Sequence, residues 1–540
     1  MWPVWGGWSA VWEGQPRQGR TCPLSGKQNL FTSDLDPRVS RGNTRSVRDK
    51  CLSFQENWAC YSNQFPGKKG TRRVKTIPKR RPPVTVGRDD PTLTPSAGLV
   101  LVAEVDRILG VAATIDAHVG RIKTRQQGLS AGELVVAMAE TMLGGGDFMI
   151  DLDHLARADE AGASLRAVAE APASTTFIAL AKRFDEVAVG DLETAVGVLV
   201  RRSFALLPKT RRDFLASKNP TLDLDPTDIE VYGSKKEGVA YNYAGQRAGR
   251  VHPVVWAEAG VVVAAELGSG RHDPRPQAPS LIARAVAALP EGLSRPRVRA
   301  DAGFFDRGVA EAALDSGCDF AIAAKRNTAV WRAARSVGPQ AWRPAEAMAG
   351  AEVAECAYVP SGWPAGTRTI VRRVRIGADQ VRADPRSRRR RTIDPDQLAL
   401  VLEGSADHAY AYSFIVTNIA GDPVHIEAWF RERAQVEERI KDSKCGLALR
   451  HLPSGYEAVN RVWMWSALLA LNLSAWTQGL GGADTDGRAH AKRARRELFN
   501  IPARVLHHAR QVVLRLSPTH RRGRFLSTWA ALRALPSASP

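Results

Sequence analysis

The chain has 540 residues, of which 44% are hydrophobic and 24% charged, so it is long enough for two or three globular domains. It carries 76 Lys and Arg against 56 Asp and Glu, and a net charge of +20 favours a polyanionic partner such as nucleic acid. Six scattered cysteines without a CxxC pair exclude a disulfide framework, and the longest apolar run, Val462–Trp476, is too short for a membrane span. We therefore expect a soluble cytoplasmic protein with no membrane partner.

Residues 1–73 show neither helical nor strand periodicity, and their tryptophans stand among Gly, Arg, Ser and Pro. Two interpretations stay open: a disordered basic arm, or a spurious extension that precedes the true start of translation. Residues 1–82 hold 16 basic and 5 acidic side chains, and residues 481–540 hold 12 and 3. The two ends therefore carry the positive surplus, and the middle of the chain is close to neutral.

Residues 74–215 have a helical pattern and are interpreted as a helical DNA-binding domain. The predicted helices are Ser96–Leu109, Ser130–Leu143, a segment after Asp151, a segment with Ser174 or Thr175 as N-cap, and Asp191–Phe204. Such a cluster can be a helix-turn-helix DNA reader or an ordinary small bundle, and the pattern alone does not decide between them.

Residues 216–325 change to a strand pattern and form the first part of a predicted catalytic core. The predicted strands are Thr221–Asp225, His252–Trp256, Gly260–Glu266, Arg297–Asp301 and Asp319–Ala323, and the predicted helices are Ser280–Leu289 and Gly308–Ser316. Three strands followed by alternating helices and strands predict an α/β fold with a mixed sheet flanked by helices. This is the order of an RNase H-like core.

The remaining sequence divides into three parts. Residues 326–410 are a β-rich insertion, with strands predicted at Val353–Val359, Thr367–Ile376 and Leu398–Leu402 and a basic loop at Arg386–Arg391. Residues 411–480 complete the core with a strand at Tyr412–Asn418, a helix from Glu427 to about Lys444, and a helix at Tyr456–Trp476. Residues 481–540 form a basic helical tail, which either follows a DNA backbone or is solvated, with His507 and His508 as surface residues on a helix.

Two acidic residues lie where predicted strands end. Asp225 follows the strand in LDLDPT, and Asp301 ends the strand in RAD. A carboxylate there projects from the sheet edge, so two of them on adjacent strands can share divalent cations. Taken singly, an aspartate at a strand end more often satisfies a turn.

The helix that begins near Glu427 carries a third acid between two cations. At about 100° per residue, one narrow stripe of this helix contains Phe430, Arg433, Glu437 and Lys444. Glu437 can complete a metal site while Arg433 and Lys444 hold phosphate oxygens. The alternative is a solvated helix with ion pairs at i,i+4 spacing, such as Arg433–Glu437.

Together these motifs resemble the DDE transposases of bacterial insertion sequences. The spacing F-x2-R-x3-E-x6-K looks like their Y-R-E-K signature, with Phe430 in the place of Tyr, so that no hydroxyl group is present there to bind phosphate. LDLDPT and RADAGFF look like the two Asp motifs. Asp225 is chosen over Asp223 because it precedes Pro226-Thr227 as the family's first Asp precedes its Thr. More narrowly, from about Val74 to Leu516 the chain resembles the group-1 DDE transposase domain.

The resemblance implies a DNA transposase with two Mg²⁺ ions, for which Mn²⁺ can substitute, held by Asp225, Asp301 and Glu437. Phe430 would contact DNA together with the two cations of the stripe. The implied partners are double-stranded DNA at the terminal inverted repeats and target DNA. A homodimer in the DNA complex and a place at the bacterial nucleoid in the cytoplasm are implied as well.

The resemblance also implies that the β-rich insertion helps to hold a DNA hairpin through an aromatic side chain. Trp342 or Trp363 could stack on a flipped base, although packing within the protein is the simpler role. Two other functions stay open: a nuclease with the same core that cuts without joining, and a catalytically decayed DNA-binding protein that retains the fold.

Overall fold

A computed structural model describes residues 84–123, 127–383, 391–485, 487–518 and 522–538. The expected extension at residues 1–73 and most of the basic loop Arg386–Arg391 lie outside these ranges. Within the described ranges, no helix combines the length and the apolar character that crossing a membrane requires.

A mixed sheet is the centre of the fold, as the strand pattern predicted. Its strands are β2 (Thr221–Leu224), β3 (Thr227–Glu230), β4 (Ala240–Tyr241), β5 (Arg247–Trp256), β6 (Val261–Ser269), β7 (Arg297–Ala300), β8 (Asp319–Ala323), β9 (Arg343–Pro344), β10 (Ala351–Cys356), β11 (Arg368–Gly377) and β12 (His408–Thr417). The strand order is β3-β5-β2-β7-β8-β12-β11-β10-β9, and β4 and β6 also pair with β5. Strands β2, β7 and β8 are parallel, and the other pairs are antiparallel.

The helices of the described part pack on the sheet and on one another. They are α1 (Val100–Leu109), α2 (Val111–Val119), α3 (Ala131–Gly144), α4 (Glu160–Ala163), α5 (Ser174–Ala181), α6 (Glu186–Leu206), α7 (Lys209–Ala216), α8 (Ala278–Ala287), α9 (Arg307–Asp315), α10 (Thr328–Arg335), α11 (Ala378–Ala383), α12 (Pro395–Glu403), α13 (Pro423–Arg431), α14 (Ala434–Gly446), α15 (Glu457–Leu480), α16 (Ala491–Ala494) and α17 (Arg522–Arg533). The helices predicted at Ser96–Leu109, Ser130–Leu143 and Asp191–Phe204 are confirmed by α1, α3 and α6.

Helix α15 joins the helical segment to the sheet. It is buried along most of its length and packs against both α3 and β6. The Asn472 side-chain amide accepts from the backbone N–H of Val262 at 2.8 Å and donates to its carbonyl at 2.9 Å, which fixes the helix to β6. Residues 86–540 form one compact unit, and helices α1, α3 and α6 share a hydrophobic core with strands of the sheet.

The β-rich insertion extends the sheet, and one of its predicted strands is wrong. Strand β11 pairs with β12 along its whole length, and β10 pairs with β11. Leu398–Leu402, predicted as a strand, lies within helix α12. The helix is favoured because Asp394 caps its N-terminus, Pro395 occupies its first turn, and Gly404 ends it in the left-handed conformation.

Three further predictions differ from the structure. The helix predicted from Glu427 to Lys444 is interrupted at residues 432–433, which separate α13 from α14. The N-cap of α5 is Ala173, without a side-chain bond; the carboxylate of Asp153 accepts instead from the Ser174 N–H at 3.3 Å. His507 and His508 lie on a strand, because β13 (Ala503–His508) and β14 (Gln511–Leu516) form a hairpin beside β1 (Leu93–Thr94).

The basic tail is therefore helical only in part, and several of its arginines bind the rest of the chain. Arg495 donates to the carbonyl groups of Leu143 at 2.9 Å and Gly446 at 2.7 Å. Within the tail, Arg493 and Arg524 both pair with Glu497, at 3.0 and 2.6 Å. These contacts give the tail a structural role in holding α3 and α14.

Candidate catalytic site

The two aspartates at strand ends meet at one edge of the sheet. Strands β2 and β7 are parallel neighbours in which Leu224 is aligned with Ala300. The next residue of each strand is Asp225 or Asp301, so both carboxyl groups leave the sheet at the same edge. Asp301 also accepts from the backbone N–H of Gly303 at 2.8 Å, which holds its side chain over the following turn.

Arg433 reaches this edge from the break between helices α13 and α14. Its Nη2 atom lies 2.5 Å from the Oδ1 atom of Asp225, and the side chains are 14% and 18% exposed. The same nitrogen lies 3.4 Å from the carbonyl oxygen of Leu224. The interruption of the predicted helix thus places a guanidinium group against the first acid.

The pKa of Asp225 shows that three acids share one electrostatic environment. Burial raises this pKa to about 6, the charge of Arg433 opposes the rise, and the charges of Asp301 and Glu437 add to it. Glu437 is exposed in the first turn of α14 and lines a cleft of about 390 Å³ with Ala302 and Arg433. The repulsion that Asp301 and Glu437 exert on Asp225 is a cost that a divalent cation relieves.

The donor chemistry fits a hard divalent cation, since carboxylate oxygens are the ligands that Mg²⁺ prefers. In the described ranges, however, no group of three or more His, Cys, Asp or Glu side chains is arranged so that it could hold a metal ion. Arg433 supplies the positive charge next to Asp225 in this arrangement. The acids are gathered within electrostatic reach but not into one coordination shell.

The four residues of the predicted stripe are divided between two places. Phe430 is partly buried and lines the same cleft as Arg433 and Glu437. Lys444 lies elsewhere: its ammonium group donates to the Thr227 hydroxyl at 3.1 Å and to the Asp228 carbonyl at 2.8 Å, on strand β3. The break at residues 432–433 separates Phe430 from α14. Glu437 and Lys444 lie seven residues apart in that uninterrupted helix and share one face, so Lys444 reaches β3 about 10 Å further along the helix axis.

Two other aspartates close to Asp225 in the sequence, Asp223 and Asp228, have different partners. Asp223 is fully buried, and its carboxylate accepts from Arg299 at 2.5 and 2.7 Å. Asp228 accepts from Arg250 at 2.6 Å and from the Asn242 amide at 2.9 Å. Asp225 is the one of the three that ends β2 beside Asp301 and pairs with Arg433, which lines the cleft.

The cleft is also lined by three arginines that the sequence did not point to: Arg326, Arg372 and Arg431. Arg372 pairs with the buried Glu427 at 2.6 Å, and Arg326 donates to the Tyr412 carbonyl at 3.0 Å. The Nε atoms of Arg372 and Arg433 are shielded from solvent without a hydrogen-bond partner in the described part of the chain. No spacing signal marks these arginines, because they come from the loop after β8, from strand β11 and from helix α13.

The two tryptophans of the insertion pack within the protein. The guanidinium of Arg373 lies 4.0 Å from the ring centre of Trp342, which is 8% exposed. Trp363 packs against Phe305 and Phe320, with ring centres 5.0 and 5.8 Å apart. Both contacts fit the simpler of the two predicted roles.

Comparison with known proteins gives the family. The family model "Transposase DDE domain group 1" matches residues 77–384 and 398–537. The cryo-EM structure of a piggyBac transposase synaptic complex with hairpin DNA is similar over 81% of each chain, with 9% sequence identity and a TM-score of 0.39. No curated protein matches the chain. Because the family model covers most of the sequence, this chain belongs to the group-1 DDE transposase family.

Proposed function

We propose that this chain is a transposase that cuts DNA at the ends of an insertion sequence and joins the freed ends to target DNA. The observation that carries the proposal is the alignment of β2 with β7, which puts Asp225 and Asp301 side by side within electrostatic reach of Glu437. The strand order β6-β5-β2-β7-β8, with two antiparallel and then two parallel pairings, supports an RNase H-like core.

Asp225, Asp301 and Glu437 are the proposed ligands for two Mg²⁺ ions, or for Mn²⁺ in their place. When bound, such ions activate the attacking hydroxyl group and stabilise the leaving oxygen. The three acids are not arranged as one coordination shell, and Arg433 occupies the carboxylate of Asp225. Arg433 must therefore release Asp225 when a cation or DNA enters. The freed guanidinium then has a shielded Nε and two terminal nitrogens with which to bind phosphate oxygens.

The chain's own residues position the strand and neutralise its charge. Arg433, Arg372 and Arg326 line the cleft together with Glu437 and would hold the phosphates on either side of the scissile bond. Phe430 would pack on a sugar or base at the cleft wall. Lys444 would leave Thr227 to bind phosphate, and before that its contact with β3 supports the site. No covalent enzyme intermediate is needed.

The proposed reaction consists of two in-line substitutions at phosphorus. In the first, water adds to the scissile phosphate, the 3′ oxygen leaves as a hydroxyl, and a 5′ phosphate remains. In the second, that 3′ hydroxyl attacks a target phosphodiester and displaces its 3′ oxygen. A homodimer is proposed for the DNA complex because joining involves two element ends, and the helices of residues 74–215 are the proposed readers of the terminal repeats.

The test is incubation of the protein with DNA carrying the inverted repeats that flank its gene, with Mg²⁺ or Mn²⁺ and a target plasmid. Cut ends together with joined products support the transposase. Cut ends without joined products favour a nuclease of the same core. Binding without any cation-dependent nicking favours a decayed DNA-binding protein.

A further inference from the structure

A second cleft, of about 700 Å³, lies at the opposite end of strands β2 and β7 from the acidic edge. It is bounded by α7, the β5–β6 turn at Gly260, and Trp429 near the end of α13. The indole N–H of Trp429 donates to the Thr221 hydroxyl at 3.1 Å, which ties the cleft wall to the first residue of β2. The cleft is therefore separate from the candidate catalytic site.

Two arginines converge at the floor of this cleft. A Cβ atom at Gly260 would contact the guanidinium groups of both Arg439 and Arg488. Arg488 donates to the Gly260 carbonyl at 2.9 Å, and its shielded Nε has no partner in the described ranges. Among the residues that the structure describes, neither arginine forms an ion pair with a carboxylate. Burial first, and then the charge of Arg439, lowers the pKa of Arg488 to about 9.

The carboxylates of the cleft form no ion pair with these two arginines in the described ranges, although the charge of Asp484 opposes part of the fall in the pKa of Arg488. They are Glu258, Glu346, Glu432 and Asp484. The first accepts from the Thr221 N–H at 3.0 Å, the second pairs with His425 at 2.9 Å, and the last lies 3.9 Å from Arg211. Glu432 is exposed at the rim. An anion at the floor would therefore relieve an existing repulsion between two cations.

An exposed aromatic ring stands beside the arginines. Phe214 is 46% exposed, and the cations of Arg211 and Lys218 lie 5.4 and 5.7 Å from its ring centre. An exposed ring flanked by cations suits an unpaired nucleotide, whose base stacks on the ring while its phosphates contact the cations. Bases within a duplex do not offer a free face for this contact.

We propose that this cleft is a second nucleic-acid site that binds an unpaired DNA strand, with a phosphate between Arg439 and Arg488 and a base on Phe214. The inference takes from the proposed function only that DNA is a ligand of this chain, and it makes no use of the three acids. Arg439 lies two residues after Glu437 on α14, so a strand in this cleft contacts the helix that carries the third acid.

The test is fluorescence anisotropy of a labelled single-stranded oligothymidylate with the full chain. Phe214→Ala should lower the affinity roughly fivefold or more, because stacking contributes about 1–3 kcal/mol per base. The double variant Arg439→Gln/Arg488→Gln should weaken binding at least as much, and its salt dependence should be shallower by about 0.7 for each phosphate that the arginines no longer bind. Phe148→Ala, which removes another exposed ring (51%), is the matched control.

Equal affinities for Phe214→Ala and Phe148→Ala would overturn the proposal. So would a labelled duplex that binds more tightly than the single strand through the same arginines. Displacement of the oligonucleotide by inorganic phosphate, with no effect of Phe214→Ala, would identify a simple anion site and also overturn it. If the wild-type chain cuts no DNA while Phe214→Ala still weakens single-strand binding, the catalytic proposal fails and this one is supported.

Discussion

The guanidinium of Arg433 holds the carboxylate of Asp225 at 2.5 Å, and this ion pair joins the break between two helices to the end of a core strand. The pair also offsets part of the repulsion that Asp301 and Glu437 exert on Asp225. The candidate site is thus held together by a cation from the protein itself.

Arg433→Ala should weaken both the binding of element ends and their cleavage. The substitution removes a charge-assisted hydrogen bond, worth about 1.5–3 kcal/mol, so a decrease of roughly tenfold or more is expected in each. The pKa of Asp225 should rise further, because its opposing charge is gone. Arg332→Ala, at an exposed position on α10, is the control. Wild-type affinity and rate in Arg433→Ala would place this side chain away from the DNA.

Cleavage should depend on pH through Asp225. Because its pKa is raised to about 6, the carboxyl group takes up a proton below that pH and loses its value as a cation ligand. The rate is expected to fall about tenfold per pH unit below the apparent pKa, which bound cations will shift downward. Nicking measured from pH 5 to pH 8 checks this. A profile that stays flat across that range even at limiting Mg²⁺ would contradict it.

The same shift has a consequence for stability. The folded chain binds the Asp225 proton more tightly than the unfolded chain, whose pKa is 3.8 against about 6. Stability from this group is therefore present below pH 4 and is lost as the pH rises through 6. A divalent cation should restore it above pH 6 and raise the melting temperature. An equal rise in Asp225→Asn would show that the cation binds elsewhere.

Arg299→Ala should destabilise the fold strongly. The side chain is 2% exposed and pairs with Asp223, which is fully buried, so its removal leaves an unpaired buried charge. A loss of about 3–5 kcal/mol in the free energy of unfolding is expected. Arg295→Ala breaks the 3.0 Å ion pair between Asp319 and an arginine that is 52% exposed. This substitution should lower the free energy of unfolding by about 1 kcal/mol or less. Urea denaturation of both variants checks the contrast, and similar losses would contradict it.

Strand ends were the most predictable part of the site. Alternating apolar residues located β2 and β7, and both aspartates follow from where those strands stop. The break at residues 432–433 was not predictable, because local sequence favours a continuous helix and the contact that holds Arg433 is with a strand 208 residues away. Arg372 likewise faces the cleft only because β11 joins the sheet through β12.

Local sequence signals are correct for some secondary-structure elements and point to the wrong type for others. Asp394, Pro395 and Gly404 mark helix α12, yet its apolar run resembled a short strand. The hairpin at His507 and His508 turns at Ala509 and Arg510, which have φ values of 47° and 64° and lack the glycine that usually signals such a turn. Tertiary pairing with β1 overrides the weak local preference there.

The most direct test of the central claim is Glu437→Gln, assayed on DNA with the flanking inverted repeats and Mg²⁺ beside the wild type and Glu438→Gln. Glutamine keeps the size of the side chain but removes the third acid, whereas Glu438 lies next to it on the same helix and does not line the catalytic cleft. We predict no strand cleavage by Glu437→Gln, with end binding retained and Glu438→Gln active. Undiminished cleavage by Glu437→Gln would contradict the three-acid site.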